Sequence, residues 1–296
     1  MNNEIVIARY NEDLEWIAGI PDDFTVIIYN KGAAITSVRA VARADEIVTL
    51  SNSGRESDTI LRHILGKTEF ADGFTVFLQG DPFEHSPDII ALLRNWRFWD
   101  DVQPLSWQWV TSTKLPPSEV LSRETATFIN QARVRPELFS LSTWGQLQFF
   151  DPGSKVMGSW YRHVHQLPDG INIASHFLRR CAWPELAEQA ERHLVGKFAY
   201  GALFAVRQRR LPELPRQSLE YALQAANAHK VYGYILERLW LHMCGEPFLL
   251  TCRNVVPQYE VPVDVMPRFV SQPPKPPYHL RIVPAIKRRV SSWARD

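Results

Sequence analysis

Three short runs of continuous apolar, largely β-branched residues limit the folds open to this chain: residues 4–8 (EIVIA), 24–29 (FTVIIY) and 74–78 (FTVFL). A strand that is apolar at almost every position must be buried on both faces. That requirement is met by a mostly parallel sheet covered by helices. Each run ends in a polar cluster: residues 9–13 (RYNED), 30–32 (NKG) and 79–84 (QGDPFE). In open α/β sheets ligands bind in the crevice beyond the carboxyl ends of the strands. The three clusters are therefore expected on one rim.

The segments between these runs read as helices and turns. Residues 14–18 suit one helical turn, and residues 47–50 a third strand. Residues 57–65 carry apolar side chains at helical spacing (Ile60, Leu61, Ile64, Leu65), and residues 87–93 read as a helix start. Residues 171–194 are helical in pattern, with Pro184 at the first turn of a second helix. Residues 200–206 read as a strand or an extended segment. Residues 215–226 and 230–244 read as two helices, the second stopped by Gly245. Residues 100–170 are rich in Trp, Pro and Ser without a clean period. They read as an irregular, acceptor-facing insertion in a single α/β domain spanning residues 1–250.

Composition narrows the function classes. Lys and Arg number 33 against 32 Asp and Glu, a net charge of +1 over 296 residues. That balance argues against a dedicated nucleic-acid binder. Eight of the 21 prolines fall between Pro257 and Pro284, and residues 268–296 carry a net charge of +6. The first 267 residues therefore net −5, and residues 251–296 form a basic, proline-rich extension. The run Lys287-Arg288-Arg289 is a candidate for contact with an anionic membrane surface, although a solvated basic end is the blander expectation. Three cysteines without a CxxC pair speak against a disulfide scaffold or a cysteine zinc site. No run reaches the ~18 apolar residues of a membrane span. The expected location is the cytoplasm, peripheral to the inner face of the membrane if the tail makes that contact.

Four ordered blocks carry a resemblance: ARYNED after the first run, YNKG after the second, LSNSGRESDTILRHI, and TVFLQGDPFEH at the end of the 74–78 run. Together they resemble a widespread family of uncharacterised proteins with ARYNED, NKG, N-x-GRE and FLQGDPF blocks. The segments GALFAVRQRRL and YILERLW also look like that family's distal blocks. The block order is similar to that of GT-A-type nucleotide-sugar glycosyltransferases. In those, a first strand leads to a nucleotide-binding loop, a metal-binding Asp follows a central strand, and a later helix bears an acidic residue near the acceptor. The resemblance implies a GT-A-like, Rossmann-related fold: a mostly parallel sheet flanked by helices, with a Trp-rich insertion and a Pro-rich C-terminal extension. It implies transfer of a sugar from a nucleotide-sugar donor to a glycan or cell-surface polysaccharide. A non-catalytic nucleotide-sugar or carbohydrate-binding module and a metal-dependent phosphoesterase are the alternatives.

Glycosyl transfer needs a nucleoside pocket, positive charge on the diphosphate, and usually a base for the acceptor hydroxyl. Asp81 is the candidate for Mn²⁺ or Mg²⁺, since hard cations favour carboxylate oxygen. It stands in Gln-Gly-Asp, not the Asp-x-Asp of many GT-A enzymes, and a simple turn is the competing role. Asn11 and Asp13 are candidates for the nucleoside or for a helix cap. Arg9 is set to face phosphate or to pair with Glu12. Lys31 is set to face phosphate or solvent. Arg55, at the start of a helix, suits an anion. The resemblance implies that Glu237 occupies the place of the acceptor-side acid, a candidate general base, and its apolar neighbours Leu236, Leu239 and Trp240 would raise its pKa. The competing role is a structural pair with Arg238.

Other candidates are weaker. His163 and His165 would share a face if their segment were a strand. His242 reads as structural. Trp96, Trp99, Trp107, Trp109, Trp144 and Trp160 read mostly as core, with Trp144 and Trp160 the expected exposed pair.

Overall fold

The computed structural model describes residues 2–107, 128–147 and 152–251. The chain divides into a unit Met1–Val255 and a C-terminal unit Val256–Asp296. The basic extension, Trp109, Cys252 and part of the Trp-rich insertion lie outside the described residues.

Each of the three apolar runs forms a strand: β1 (Asn3–Arg9), β2 (Phe24–Asn30) and β4 (Phe74–Gln79), with a short β3 (Glu46–Thr49). β1 pairs in parallel with β2 and β4, and β2 in parallel with β3. Two further strands, β5 (Val102–Pro104) and β10 (Phe204–Arg207), complete a six-stranded sheet of order β3-β2-β1-β4-β10-β5. β10 runs antiparallel to β4 and β5. Both faces are covered, as continuous apolar strands demand. Ile5, Ile7, Val26, Ile28, Val76 and Leu78 pack on one side with Ile17, Ala40 and Leu92. Val6, Phe77, Phe204 and Val206 pack on the other with Ile60, Leu61, Leu219 and Leu239.

The first face is covered by a 3-10 turn (Glu15–Gly19), α1 (Val38–Arg43) and α3 (Ile89–Arg94). The second is covered by α2 (Arg55–Gly66), α5 (Ile173–Arg180), α6 (Pro184–Glu191), α7 (Arg216–Ala228) and α8 (Val231–Met243). Between them in sequence lies α4 (Pro152–His165). A second sheet, β8 (Glu137–Ser140), β9 (His193–Phe198) and β11 (Leu249–Thr251), and a hairpin of β6 (Phe128–Ile129) and β7 (Ala132–Arg133) flank the main sheet in the chain. No helix among the described residues is long and apolar enough to cross a membrane.

Three expectations change. His163 and His165 end helix α4, so they do not share a strand face. Trp144 is fully buried, its ring 4.8 Å from that of Phe139, while Trp160 is exposed. The helical reading through residue 194 stops at Glu191, and His193 begins β9.

The chain fills β1, β2 and β3 outward in one direction, then returns to place β4 on the other side of β1. The order reverses between β1 and β4. At such a switch point the connections leave in opposite directions and open a crevice above the carboxyl ends.

Candidate functional site

The loops beyond β1, β2 and β4 meet at this switch point and are laced together. Arg9 is buried. Its Nε donates to Glu12 O at 3.0 Å and its Nη1 donates to Asn30 Oδ1 at 2.7 Å. Asn11 Oδ1 accepts the Ala33 amide at 3.0 Å. The close approach of these loops requires Gly32, where a Cβ would lie 1.8 Å from Tyr10 O. Glu12 folds over Gly80, where a Cβ would meet Glu12 Oε2 at 2.6 Å. Trp16 Nε1 donates to Gly80 O at 2.8 Å.

Two rim carboxylates, Asp13 and Asp81, are exposed, and each closes a local turn. Asp13 Oδ1 accepts the Glu15 amide at 3.0 Å, and Asp81 Oδ1 accepts the Phe83 amide at 3.1 Å. These are the Asx turns that short carboxylates favour. The turn-forming roles are therefore real, and each side chain still presents charge to the rim.

Lys31 does not face solvent. Its side chain is 4% exposed and its three donors reach Ser53 O, Arg55 O and Asp58 Oδ2, the last at 3.0 Å. Asp58 is also held by Arg62 at 2.8 Å and Asn227 at 2.8 Å. Burial lowers the Lys31 pKa, and the Asp58 charge does not fully offset it. Arg9 and Lys31 thus tie the rim together from inside. Neither is placed as a phosphate contact.

Arg55 and Glu237 are brought together. Arg55 opens α2 after Gly54, both residues at positive φ (53° and 60°). The Arg55 side chain is 43% exposed and crosses to α8, where Nη1 donates to Tyr234 Oη at 2.8 Å. Burial opposes its charge, but Glu56, Tyr234 and Glu237 outweigh that and raise its pKa above the ordinary value. Burial likewise raises the pKa of Tyr234 against the pull of Arg55, which keeps it a neutral phenol.

Glu237 lies one turn beyond Tyr234 on α8. Its Oε1 accepts the Gly201 amide at 3.0 Å, and its Oε2 stands 3.7 Å from Arg238 Nη1. Its surroundings are accordingly polar, not the apolar pocket expected from Leu236, Leu239 and Trp240. Arg238 is buried, with its guanidinium 4.5 Å from the Phe198 ring centre. The structural pair and an exposed acidic edge coexist, since the Glu237 side chain is 21% exposed.

The link back to the sheet runs through Gly201 (φ 63°), where a Cβ would meet Gln79 at 2.9 Å. Gln79 ends β4 and donates to Glu56 Oε1 at 3.2 Å. Glu56 and Tyr234 were not among the residues expected at a site, and Gln79 was expected only as part of the 79–84 rim cluster. Tyr234 and Glu237 stand at i and i+3, which puts them on one helix face. That spacing was the available signal.

His242 is structural. Its Nε2 accepts the Lys197 amide at 2.8 Å, its Nδ1 meets Glu246 O at 2.9 Å, and burial drops its pKa to about 3. Cys181 and Cys244 are buried free thiols, each pushed by burial to about 12 and so unsuited as nucleophiles. No group of three or more His, Cys, Asp or Glu side chains is gathered as for a metal among the described residues.

No protein-family model matches the chain, and no curated protein is significantly similar to it.

Proposed function

We propose that the chain is a GT-A-like glycosyltransferase that takes a sugar from a nucleotide-sugar donor to a hydroxyl of a glycan or cell-surface polysaccharide. One observation carries the reading. The β1/β4 switch point is rimmed by Asn11, Asp13 and Asp81, and the Gly201 turn joins it to a carboxylate, Glu237, set beside a cation, Arg55. A crevice at a switch point suits a nucleotide. An adjacent acid and cation suit the two charges that transfer creates, on the departing diphosphate and on the acceptor oxygen.

In this reading Asn11 and Asp13 contact the nucleoside. Arg55 offsets phosphate charge. Glu237 keeps lone pairs outside its bond to Gly201 and takes the acceptor hydroxyl proton. Asp81 would hold Mn²⁺ or Mg²⁺, with diphosphate oxygens and water supplying the remaining ligands, as such ions accept when a protein offers one carboxylate. The ion would neutralise the leaving diphosphate.

The isolation of Asp81 favours a second reading, a module that binds nucleotide sugar without transfer. Turnover separates the two. The transferase reading expects donor hydrolysis or transfer by the wild type and its loss in Glu237→Gln with donor binding retained. Donor binding with no turnover across a broad acceptor panel would favour the binding module.

A further inference from the structure

Away from the rim, a cavity of about 250 Å³ lies between α5, α7 and the first turn of α8. Its walls include Phe177, Tyr221, Tyr232 and Ala228, with Gln224 and the guanidinium-bearing Arg180 as its polar groups. Arg179 next to it is paired with Glu191. Among the described residues no side chain pairs with the Arg180 guanidinium.

Two histidines close enough to feel the Arg180 charge are each held by a tyrosine hydroxyl. His165 Nε2 and the Tyr232 hydroxyl are 3.0 Å apart, and His176 Nδ1 and the Tyr161 hydroxyl are 2.8 Å apart. The two imidazole rings are 5.2 Å apart. Burial first, then Arg180 and His176, hold the His165 pKa down to about 4, and burial and Arg180 lower that of His176. No carboxylate is among the groups acting on either ring.

We propose that this cavity binds a small aromatic carboxylate, with its ring against Phe177, Tyr221 and Tyr232 and its carboxylate on Arg180. Two independent features select that chemistry. The exposed Arg180 guanidinium, a planar fork with no ion-pair partner among the described residues, matches a carboxylate. The volume exceeds the roughly 150 Å³ that holds benzene in an apolar protein cavity, leaving room for one ring and its acid group. Gln224 adds a hydrogen-bonding amide at the same opening. Tyr232 and Tyr234 are about 200° apart around α8, so one helical turn presents one tyrosine to this cavity and the other to Arg55. The site is independent of the donor reading.

Benzoate is the probe, titrated into the full chain by calorimetry while His165 is followed by NMR. Saturable binding is expected, together with a rise in the His165 pKa as the carboxylate offsets Arg180. Arg180→Gln should weaken benzoate about tenfold or more. Ala228→Phe, which fills the cavity from an exposed position, should abolish saturation. Benzyl alcohol should bind far more weakly. Equal affinity in Arg180→Gln, equal binding of benzyl alcohol, or an identical His165 shift with acetate at the same concentration would each overturn the proposal. So would the absence of saturable binding.

Discussion

Glu237 on α8 accepts the backbone N–H of Gly201 at 3.0 Å, across a turn that Gly201 makes in the left-handed region at φ 63°. The acid and the turn before β10 hold each other, and the turn stands over Gln79 at the end of β4. Gly201→Ala therefore faces backbone strain and a contact with Gln79. It should lower stability by about 1–3 kcal/mol, read by urea denaturation. Glu237→Gln keeps an acceptor oxygen for the same amide. It should change stability by less than about 1 kcal/mol.

Asp81 has a separable local role. Asp81→Asn retains the acceptor for the Phe83 amide, whereas Asp81→Ala removes it. If the charge serves a metal, both variants should lose any Mn²⁺ enhancement of donor binding. Only Asp81→Ala should loosen the loop, visible as faster amide exchange at Phe83. Full Mn²⁺ enhancement in Asp81→Asn would remove Asp81 from metal binding.

The Lys31–Asp58 pair is buried, with side-chain exposures of 4% and 1%. Removing one partner of a buried pair strands the other charge. Lys31→Met should cost roughly 3 kcal/mol, lessened to the extent that Arg62 and Asn227 still serve Asp58. Thermal unfolding checks this, and a loss below 0.5 kcal/mol would contradict the buried geometry.

Two carboxyls give opposite pH dependences. Burial disfavours the Glu4 charge, but His63, Lys67 and Thr75 outweigh it and hold the pKa near 2. Its contribution, about 3 kcal/mol at neutral pH, is lost as the pH falls from about 4.5 toward 2. Glu137 is fully buried in β8, its carboxyl has no hydrogen-bond partner among the described residues, and burial lifts its pKa to about 8. The unfolded chain releases that proton above about 4.5 while the folded chain keeps it. Glu137 therefore costs increasing stability from about pH 4.5 to 8. Glu137→Gln should gain on the wild type across that window, by roughly 4 kcal/mol at pH 8. Urea melts at pH 5, 6.5 and 8 test this, and a gap independent of pH would contradict it.

The central sheet was legible because residues 4–8, 24–29 and 74–78 are apolar almost throughout, which fixes their burial and parallel pairing. The rim followed from it. β9 was not legible: HLVGKF carries Gly196 and Lys197, and Gly196 is there because a Cβ would lie 2.4 Å from the Phe139 ring. The contact of Arg9 with Glu12 was legible from their spacing, but its bond to Asn30 and the pairing of Lys31 with Asp58 were not, since those partners lie 21 and 27 residues away and only the fold brings them near. Trp144 sits at positive φ in a short loop beside Gly145, a pattern that suggests exposure, yet its ring fills the core against Phe139. Glu56 and Gln79 stand in the GRE and LQGDPF segments, but their hydrogen bond crosses from α2 to β4.

Donor binding at the β1/β4 rim is the claim on which the other functional roles rest. A thermal-shift series with nucleoside diphosphates and nucleotide sugars, with and without Mn²⁺, measures it directly. Bound ligand stabilises by mass action, by about 2.7 kcal/mol at 100 times Kd. The account predicts a clear rise in melting temperature for at least one nucleotide and its sugar conjugate, enhanced by Mn²⁺ and reduced in Arg55→Gln. An unchanged melting temperature with every nucleotide at millimolar concentration would contradict it.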